Sequence, residues 1–247
     1  MLHIETLTSR VQKSDSPKTR HEKKELSSQA QQYLNNKLSS FNLELDLACN
    51  YIPGDLILTL TYDDEHLPFR RQQCFSSMKY FRKKLAEEYK KRGAKLVMHS
   101  NIEHKHGDGR WHHHAVINAV DIEYQTIVDL WGRGSIKFQR LLLGKHKDPQ
   151  NPKDIKEYSY AGLAVYMTKE RPDKPSQRCW TCTRTAKHPT IETALVDANT
   201  TLNPPPGSQL LDSDKKKKAN GGRLEYIKYI NATLPHRGTS KRRVKKK

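Results

Sequence analysis

Two apolar runs set one tight turn apart constrain this chain more than any other feature. Residues 95–104, KLVMHSNIEH, and residues 110–120, RWHHHAVINAV, both read as strands. Between them lies KHGDG, 105–109, a turn rich in Gly and Asp. Strands joined this closely pair as an antiparallel hairpin. Side chains on a strand alternate between faces. His112 and His114 therefore share one side with Val116, and His113, Ala115 and Ile117 take the other. Glu103, nine residues before His112, is on the partner strand and can face the His pair across the hairpin.

The flanking segments extend this unit. DLILTLTYDD, 55–64, is bounded by Pro-Gly and Asp-Asp and reads as a strand. RQQCFSSMKYFRKKLAEEYKKRG, 71–93, aligns Phe75, Met78, Phe81, Leu85 and Tyr89 on one helical face, with Gly93 as a stop. Asp121 is a fair N-cap for a helix over IEYQTIVDLW, with Gly132 as its end. SIKFQRLLL, 135–143, is a further strand, and KDPQNPKD, 147–154, a loop. IKEYSYAGLAVYMTKE, 155–170, reads as one helix. The order β-α-β-β-α-β-α predicts an α+β ferredoxin-like core: a mainly antiparallel sheet with flanking helices.

The ends of the chain differ in composition. Residues 1–26 lack sustained periodicity and read as mobile, and 27–47 carry Tyr33, Leu34, Leu38, Phe41 and Leu45 at helical spacing. Residues 1–50 are thus a mobile N-terminus and a docking helix, and 51–190 the ordered, enzyme-like domain. Residues 191–247 read as linker and basic C-terminal tail, through NPPPGS, DKKKK, NGG and SKRRVKKK, with a short helix over RLEYIKYINATL, 223–234.

Charge then narrows the partner. Forty-five Lys and Arg against 27 Asp and Glu give a net charge of +18 over 247 residues, which calls for a polyanion. No run of about 18 apolar residues occurs, so no membrane span is expected. The first 26 residues have no apolar segment of a secretory signal. Nucleic acid, met in the cytoplasm, is the first expectation. Of four cysteines, Cys179 and Cys182 form CWTC, which reads first as a plain packed strand segment; as half of a zinc site it would take His188 as a third ligand, and no fourth is evident nearby.

Three stretches carry candidate chemistry. Imidazoles two residues apart on a strand can reach one metal ion, and Glu103 would add an oxygen. Two nitrogens and one carboxylate leave coordination positions open for substrate. The same residues also fit ordinary strand histidines and a solvated carboxylate. In VYMTKE, 165–170, Tyr166 and Lys169 share a helix face. A cation beside a phenol favours the phenolate, a nucleophile; a core tyrosine with a solvated lysine is the plainer alternative. Thr59 and Thr61 share a strand face, either to bind phosphate or orient ligands, or simply as β-formers.

Taken in order, LTLTYDDEHLP (58–68), GRWHHHAVIN (109–118) and VYMTK (165–169) resemble the three motifs of HUH endonucleases of the rolling-circle replication initiator type. The likeness is to phage-like replication proteins of small DNA phages and bacterial mobile elements. CNYIPGDLILTLTYD, LWGRGSI and RCWTCTRTAKHP add lesser matches, and the resemblance covers about residues 45–190. It implies a five-stranded antiparallel sheet with flanking helices. It implies His112, His114 and Glu103 as ligands of Mg²⁺ or Mn²⁺, Tyr166 as the nucleophile and Lys169 as its assistant. His113 departs from the pattern, since the middle slot is ordinarily apolar. Gly162, four residues before Tyr166, leaves the helix without a second tyrosine at the spacing some phage initiators use.

The implied reaction is nicking and joining of single-stranded DNA at a replication origin through a 5′-phosphotyrosine, in a bacterial host cell, with a host helicase as a further partner. Two alternatives stand beside it. One is a non-catalytic nucleic-acid-binding protein on the same scaffold, the other a single-tyrosine transposase or relaxase.

Overall fold

The computed structural model describes residues 2–8, 29–104, 109–147, 155–170, 178–217 without 191, 193, 195 and 198, and 223–231. In chain order the elements are β1 (Leu2–Thr8), α1 (Gln29–Asn50), β2 (Leu56–Thr61), α2 (Arg71–Lys91), β3 (Met98–Glu103), β4 (His112–Ile117) and α3 (Tyr124–Trp131). They continue with β5 (Ile136–Arg140), β6 (Gly144–Lys147), β7 (Ile155–Ser159), α4 (Ala161–Thr168), β8 (Trp180–Cys182), β9 (Gln209–Lys217) and β10 (Arg223–Ile230). They fall into two compact units. One comprises Lys23–Gly144 and Ser159–Thr190; the other comprises Met1–Glu22, Lys145–Tyr158 and Ile191–Lys247.

The first unit holds a five-stranded sheet in the order β5-β2-β4-β3-β8, every neighbouring pair antiparallel. Leaving out β8, the order of the other four is that of a β-α-β-β-α-β ferredoxin-like core. The α+β expectation and the five-stranded sheet with flanking helices both hold. β3 and β4 pair as the hairpin read from sequence, with Glu103 opposite His112 and Asn101 opposite His114. The connecting residues 105–108 lie outside the described residues.

Period-2 patterning gives the sheet two covered faces. Leu56, Leu58 and Leu60 of β2 join Met98, Ile102, Ala115 and Ile117 against α2 and α3. From α2 come Cys74, Met78, Phe81, Leu85 and Tyr89. Full burial of such side chains contributes about 1.5–3 kcal/mol each. Gln73 Oε1 starts this helix by accepting the backbone N–H groups of Phe69 and Arg70, at 2.8 and 3.1 Å. On the other face Val116 packs with Leu43, Leu47 and Tyr51 and with Tyr160, Ala164 and Met167 of α4. Helices α1 and α4 therefore cover the face that carries His112 and His114.

The second unit contains a three-stranded antiparallel sheet in the order β1-β10-β9 and a β6-β7 pair. Here the structure corrects three sequence expectations. Residues 223–234 were expected to be helical, but Arg223–Ile230 is the central strand β10. Tyr226, Ile227 and Tyr229 are buried in it, and such aromatic and β-branched residues suit a strand with neighbours on both sides. Leu2–Thr8, expected to be mobile, is β1, held partly by Tyr229 Oη donating to Glu5 Oε1 at 2.5 Å. Segment 155–170, read as one helix, is β7 followed by α4, with Tyr160 at the helix N-cap. DKKKK, assigned to the linker, lies mostly in β9, whereas the final SKRRVKKK lies outside the described residues. Among the described residues no helix is long and apolar enough to cross a membrane.

Candidate metal and nucleophile site

The register of the sheet builds the site. Thr61, His112 and Glu103 lie in one cross-strand row, and Thr59, His114 and Asn101 in the next. All six side chains point to the face under α1 and α4. Glu103 and His114 are buried there, and His112 keeps partial contact with solvent. Ligand atoms of Glu103, His112 and His114 all lie within 4.8 Å of one another. Glu103 Oε2 is 3.0 Å from His114 Nε2 and 3.5 Å from His112 Nε2.

The outer ring nitrogens decide what the inner ones can do. His112 Nδ1 is 3.1 Å from the carbonyl oxygen of Arg110, which can only accept, so Nδ1 carries the proton. In the neutral ring this leaves the Nε2 lone pair facing the Glu103 carboxylate. His114 Nδ1 is 3.2 Å from Thr59 Oγ1, which can accept its proton and free Nε2 in the same way. Burial, reinforced by the charge of His112, pushes the pKa of His114 down to about 4 and keeps the ring neutral. Burial alone would raise the Glu103 carboxyl. The Lys169 hydrogen bond and the neighbouring positive charges outweigh it and hold Glu103 below its usual range. Two imidazole nitrogens and a carboxylate oxygen that converge in this way fit a divalent cation.

Helix α4 brings the nucleophile candidate to the same place. Ala164 and Met167 are buried under the helix, and Tyr166 is left 42% exposed at its edge. Its hydroxyl is 3.0 Å from His114 Nε2, and the two rings meet edge to face at 4.8 Å. Lys169, at the C-cap, places its ammonium 2.6 Å from Glu103 Oε1 and 4.0 Å from the Tyr166 ring centroid. Burial works against that cation, but the Glu103 bond and charge raise its pKa overall. All five residues singled out from sequence therefore meet in one cluster.

Other residues have different places. Tyr160 is buried, and burial and Asp55 push its pKa up to about 12. The side chain of Tyr158 lies outside the described residues. Thr61 turns away to Ser135, whose Oγ is 2.7 Å from its hydroxyl. Asp63 accepts from His66 N at 2.9 Å, in keeping with a turn over Asp63–Glu65. Sequence reasoning missed Glu170, whose carboxylate accepts the backbone N–H of His104 at 2.7 Å and caps the end of β3 beside Glu103. It also missed the Arg110 carbonyl, because backbone groups leave no mark in a residue pattern.

His113 lies behind the sheet. It is fully buried between Tyr62 and Trp131, with its Nε2 2.7 Å from the Tyr62 hydroxyl. Burial drives its pKa down to about 3. It is a buried neutral partner of Tyr62 in the core and takes no part in the cluster.

Comparison with known proteins places these residues in a family context. No curated protein and no solved structure gives a significant match to the chain. Residues 55–171 match the family described as replication-associated protein ORF2, a span that runs from β2 past α4 and contains Glu103, His112, His114, Tyr166 and Lys169. The resemblance to a replication protein read from the motifs is thereby borne out as a family match over residues 55–171, a little under half of the chain.

Proposed function

We propose that the domain at residues 51–190 nicks and rejoins single-stranded DNA at a replication origin, using Tyr166 as the nucleophile. The observation that carries this reading is the convergence of Tyr166 and Lys169 on the Glu103, His112 and His114 cluster. The phenolate oxygen of Tyr166 attacks the scissile phosphorus. A Tyr–O–P bond forms, the P–O3′ bond breaks, and the 3′ oxygen leaves as a hydroxyl after taking a proton from water. One phosphodiester replaces another, so no nucleotide cofactor is consumed.

Each residue has a separate task. Glu103 Oε2 and the Nε2 atoms of His112 and His114 would hold Mg²⁺ or Mn²⁺. Such an ion supplies Lewis-acid polarisation of the phosphate and stabilises charge on the leaving oxygen. Lys169 fixes Glu103 by its other oxygen, Oε1, and leaves Oε2 to the imidazoles. Its ammonium, 4.0 Å from the Tyr166 ring centroid, holds that ring beside the cluster. The phenol proton passes to solvent, to which Tyr166 is open. The basic surplus supplies backbone attraction, with a salt slope of about −0.7 per phosphate contact on single strands.

The test is a labelled single strand incubated with the protein and Mn²⁺ or Mg²⁺, read as an adduct that survives SDS. The adduct is expected from wild type and from Tyr160→Phe, and is lost in Tyr166→Phe. His112→Ala and His114→Ala are each expected to abolish it while leaving salt-dependent DNA binding largely intact. Absence of an adduct with every divalent ion tried would overturn the nicking reading in favour of a non-catalytic binder. An adduct from Tyr166→Phe would overturn the choice of nucleophile.

A further inference from the structure

On the same sheet face, one row beyond His114 and Asn101, lies a second group of metal-ligating side chains. His99 on β3 stands opposite Cys182 on β8, and Asp46 reaches them from α1. One ligand atom from each lies within 4.8 Å of the other two. None belongs to the cluster around Glu103. His99 and Asp46 are buried and Cys182 is half-buried.

Hydrogen-bond direction shows what this group lacks. The Tyr51 hydroxyl donates its one proton to the carbonyl of Val116 at 2.9 Å. Toward His99 Nδ1, at 2.8 Å, it must therefore accept, so Nδ1 carries the ring proton. Nε2 is thus the ring nitrogen turned to Asp46 Oδ2, 3.4 Å away. An imidazole nitrogen and a carboxylate oxygen therefore converge, buried, beside the Cys182 thiol. A cation between them, a metal ion included, satisfies both.

A further imidazole is held beside Asp46. Asn50, at the end of α1, clamps Lys187 with two hydrogen bonds of 2.7 Å, one to the backbone N–H and one to the carbonyl. This fixes the next residue, His188, with Nδ1 3.1 Å from Asp46 Oδ2. The CWTC motif does not act as a pair, because Cys179 Sγ instead meets Ser39 Oγ at 3.1 Å.

One sulfur, two imidazole nitrogens and one carboxylate form the donor set of a borderline-soft, tetrahedral ion rather than of Mg²⁺. We infer that Asp46, His99 and Cys182, with His188 closing the fourth position, bind one zinc-type divalent ion. The ion pins α1 to β3 and to the three-residue edge strand β8. Binding releases the Cys182 thiol proton to solvent and leaves a thiolate ligand. Burial and the Asp46 carboxylate otherwise raise that thiol above its ordinary range. The site would be structural, and it stands independently of the nicking reaction.

The test uses the full chain carrying His112→Ala and His114→Ala, so that the other cluster is out of play, titrated with Co²⁺ alone. The expected result is one equivalent bound, with a near-ultraviolet thiolate-to-cobalt band and tetrahedral visible absorption, both erased by Zn²⁺. Cys182→Ser should remove the near-ultraviolet band, while Cys49→Ser and Cys179→Ser keep it. Tyr51→Phe, which frees the His99 tautomer without touching the ion, should weaken Co²⁺ binding by about 10–100-fold. The absence of a thiolate band at one equivalent would overturn the site without needing any cysteine variant. A band that survives Cys182→Ser and disappears in Cys49→Ser or Cys179→Ser would overturn the ligand assignment. Neither result depends on DNA cleavage.

Discussion

Lys169 and Glu103 form an ion pair of 2.6 Å in which the carboxylate is almost wholly buried and the ammonium is 40% exposed. The cation thus reaches from solvent into the site. It compensates a charge that burial alone would neutralise, and it lies beside the Tyr166 ring. Lys169→Met is expected to slow adduct formation by about 10²-fold, the scale of losing one group that stabilises developing charge. DNA affinity should change little. Single-turnover adduct formation beside a binding titration checks this, and a rate within twofold of wild type would remove Lys169 from the machinery.

A metal ion at the cluster would compete with Tyr166 for one lone pair. His114 Nε2 is 3.0 Å from the Tyr166 hydroxyl and 3.0 Å from Glu103 Oε2, and a nitrogen that ligates an ion can no longer accept from the phenol. Loading the site must therefore release the hydroxyl from His114. Tyr166→Phe is expected to tighten Mn²⁺ binding by about 2- to 10-fold, the worth of one hydrogen bond. Calorimetric titration of wild type and variant without DNA measures it. Weaker binding in the variant would mean that the phenol itself contributes to the ion's site.

How much of this was legible in sequence follows the physics of each signal. Strands β2, β3 and β4 were legible as short runs of strand-forming residues bounded by turn residues, and β3 and β4 are buried on both faces. The alternation of side chains along a strand separated His112 and His114 from His113. Glu103 could be set opposite His112 because a short hairpin fixes register locally. The sheet of β1, β9 and β10 was not legible, because strands about 200 residues apart leave no local trace and a lysine run hides β9. The partners of His99 escaped for the same reason. Asp46, His99 and Cys182 lie on three elements, and only the fold brings them together. The CWTC motif suggests a Cys179–Cys182 pair, whereas Cys179 Sγ meets Ser39 Oγ and Cys182 lies with Asp46 and His99.

His113 and Tyr62 make a buried polar pair that can be weighed directly. His113→Leu leaves the Tyr62 hydroxyl without its hydrogen-bond partner in the core and is expected to cost about 1–3 kcal/mol. Adding Tyr62→Phe removes the orphaned hydroxyl, so the double variant should recover part of that loss. Urea unfolding of the four proteins gives the coupling. Metal affinity at the front of the sheet should be unchanged in His113→Leu. Strictly additive losses would show that the 2.7 Å contact contributes nothing.

Gly134 lets the α3–β5 connection pass close to the end of β2. Its φ is +137°, and a Cβ there would stand 2.4 Å from the carbonyl oxygen of Thr61 and 2.7 Å from the backbone nitrogen of Asp63. That Thr61 carbonyl already accepts from Trp131 Nε1 at 2.9 Å, so it is not free to move. Gly134→Ala is expected to destabilise the domain by about 2–4 kcal/mol, through backbone strain and the forced shift of β2. Denaturant unfolding reads this, and a loss under about 0.5 kcal/mol, the ordinary range of surface changes, would contradict it.

Alkaline stability should carry the mark of Cys74. The thiol is fully buried on α2, and burial pushes its pKa up to about 11 from an ordinary 9.0. A group whose folded pKa lies above its unfolded value stabilises the fold fully below the unfolded value. That contribution is lost as pH rises through the window, here from about 9 to about 11. Two pKa units correspond to about 2–3 kcal/mol. Cys74→Ala is expected to be less stable at pH 7, because a buried atom is lost, but to fall less steeply between those values. Lys and Tyr groups titrate in both proteins, so the difference between the two stability curves isolates the thiol. Parallel curves across the window would show that Cys74 ionises in the folded protein as readily as in the unfolded chain.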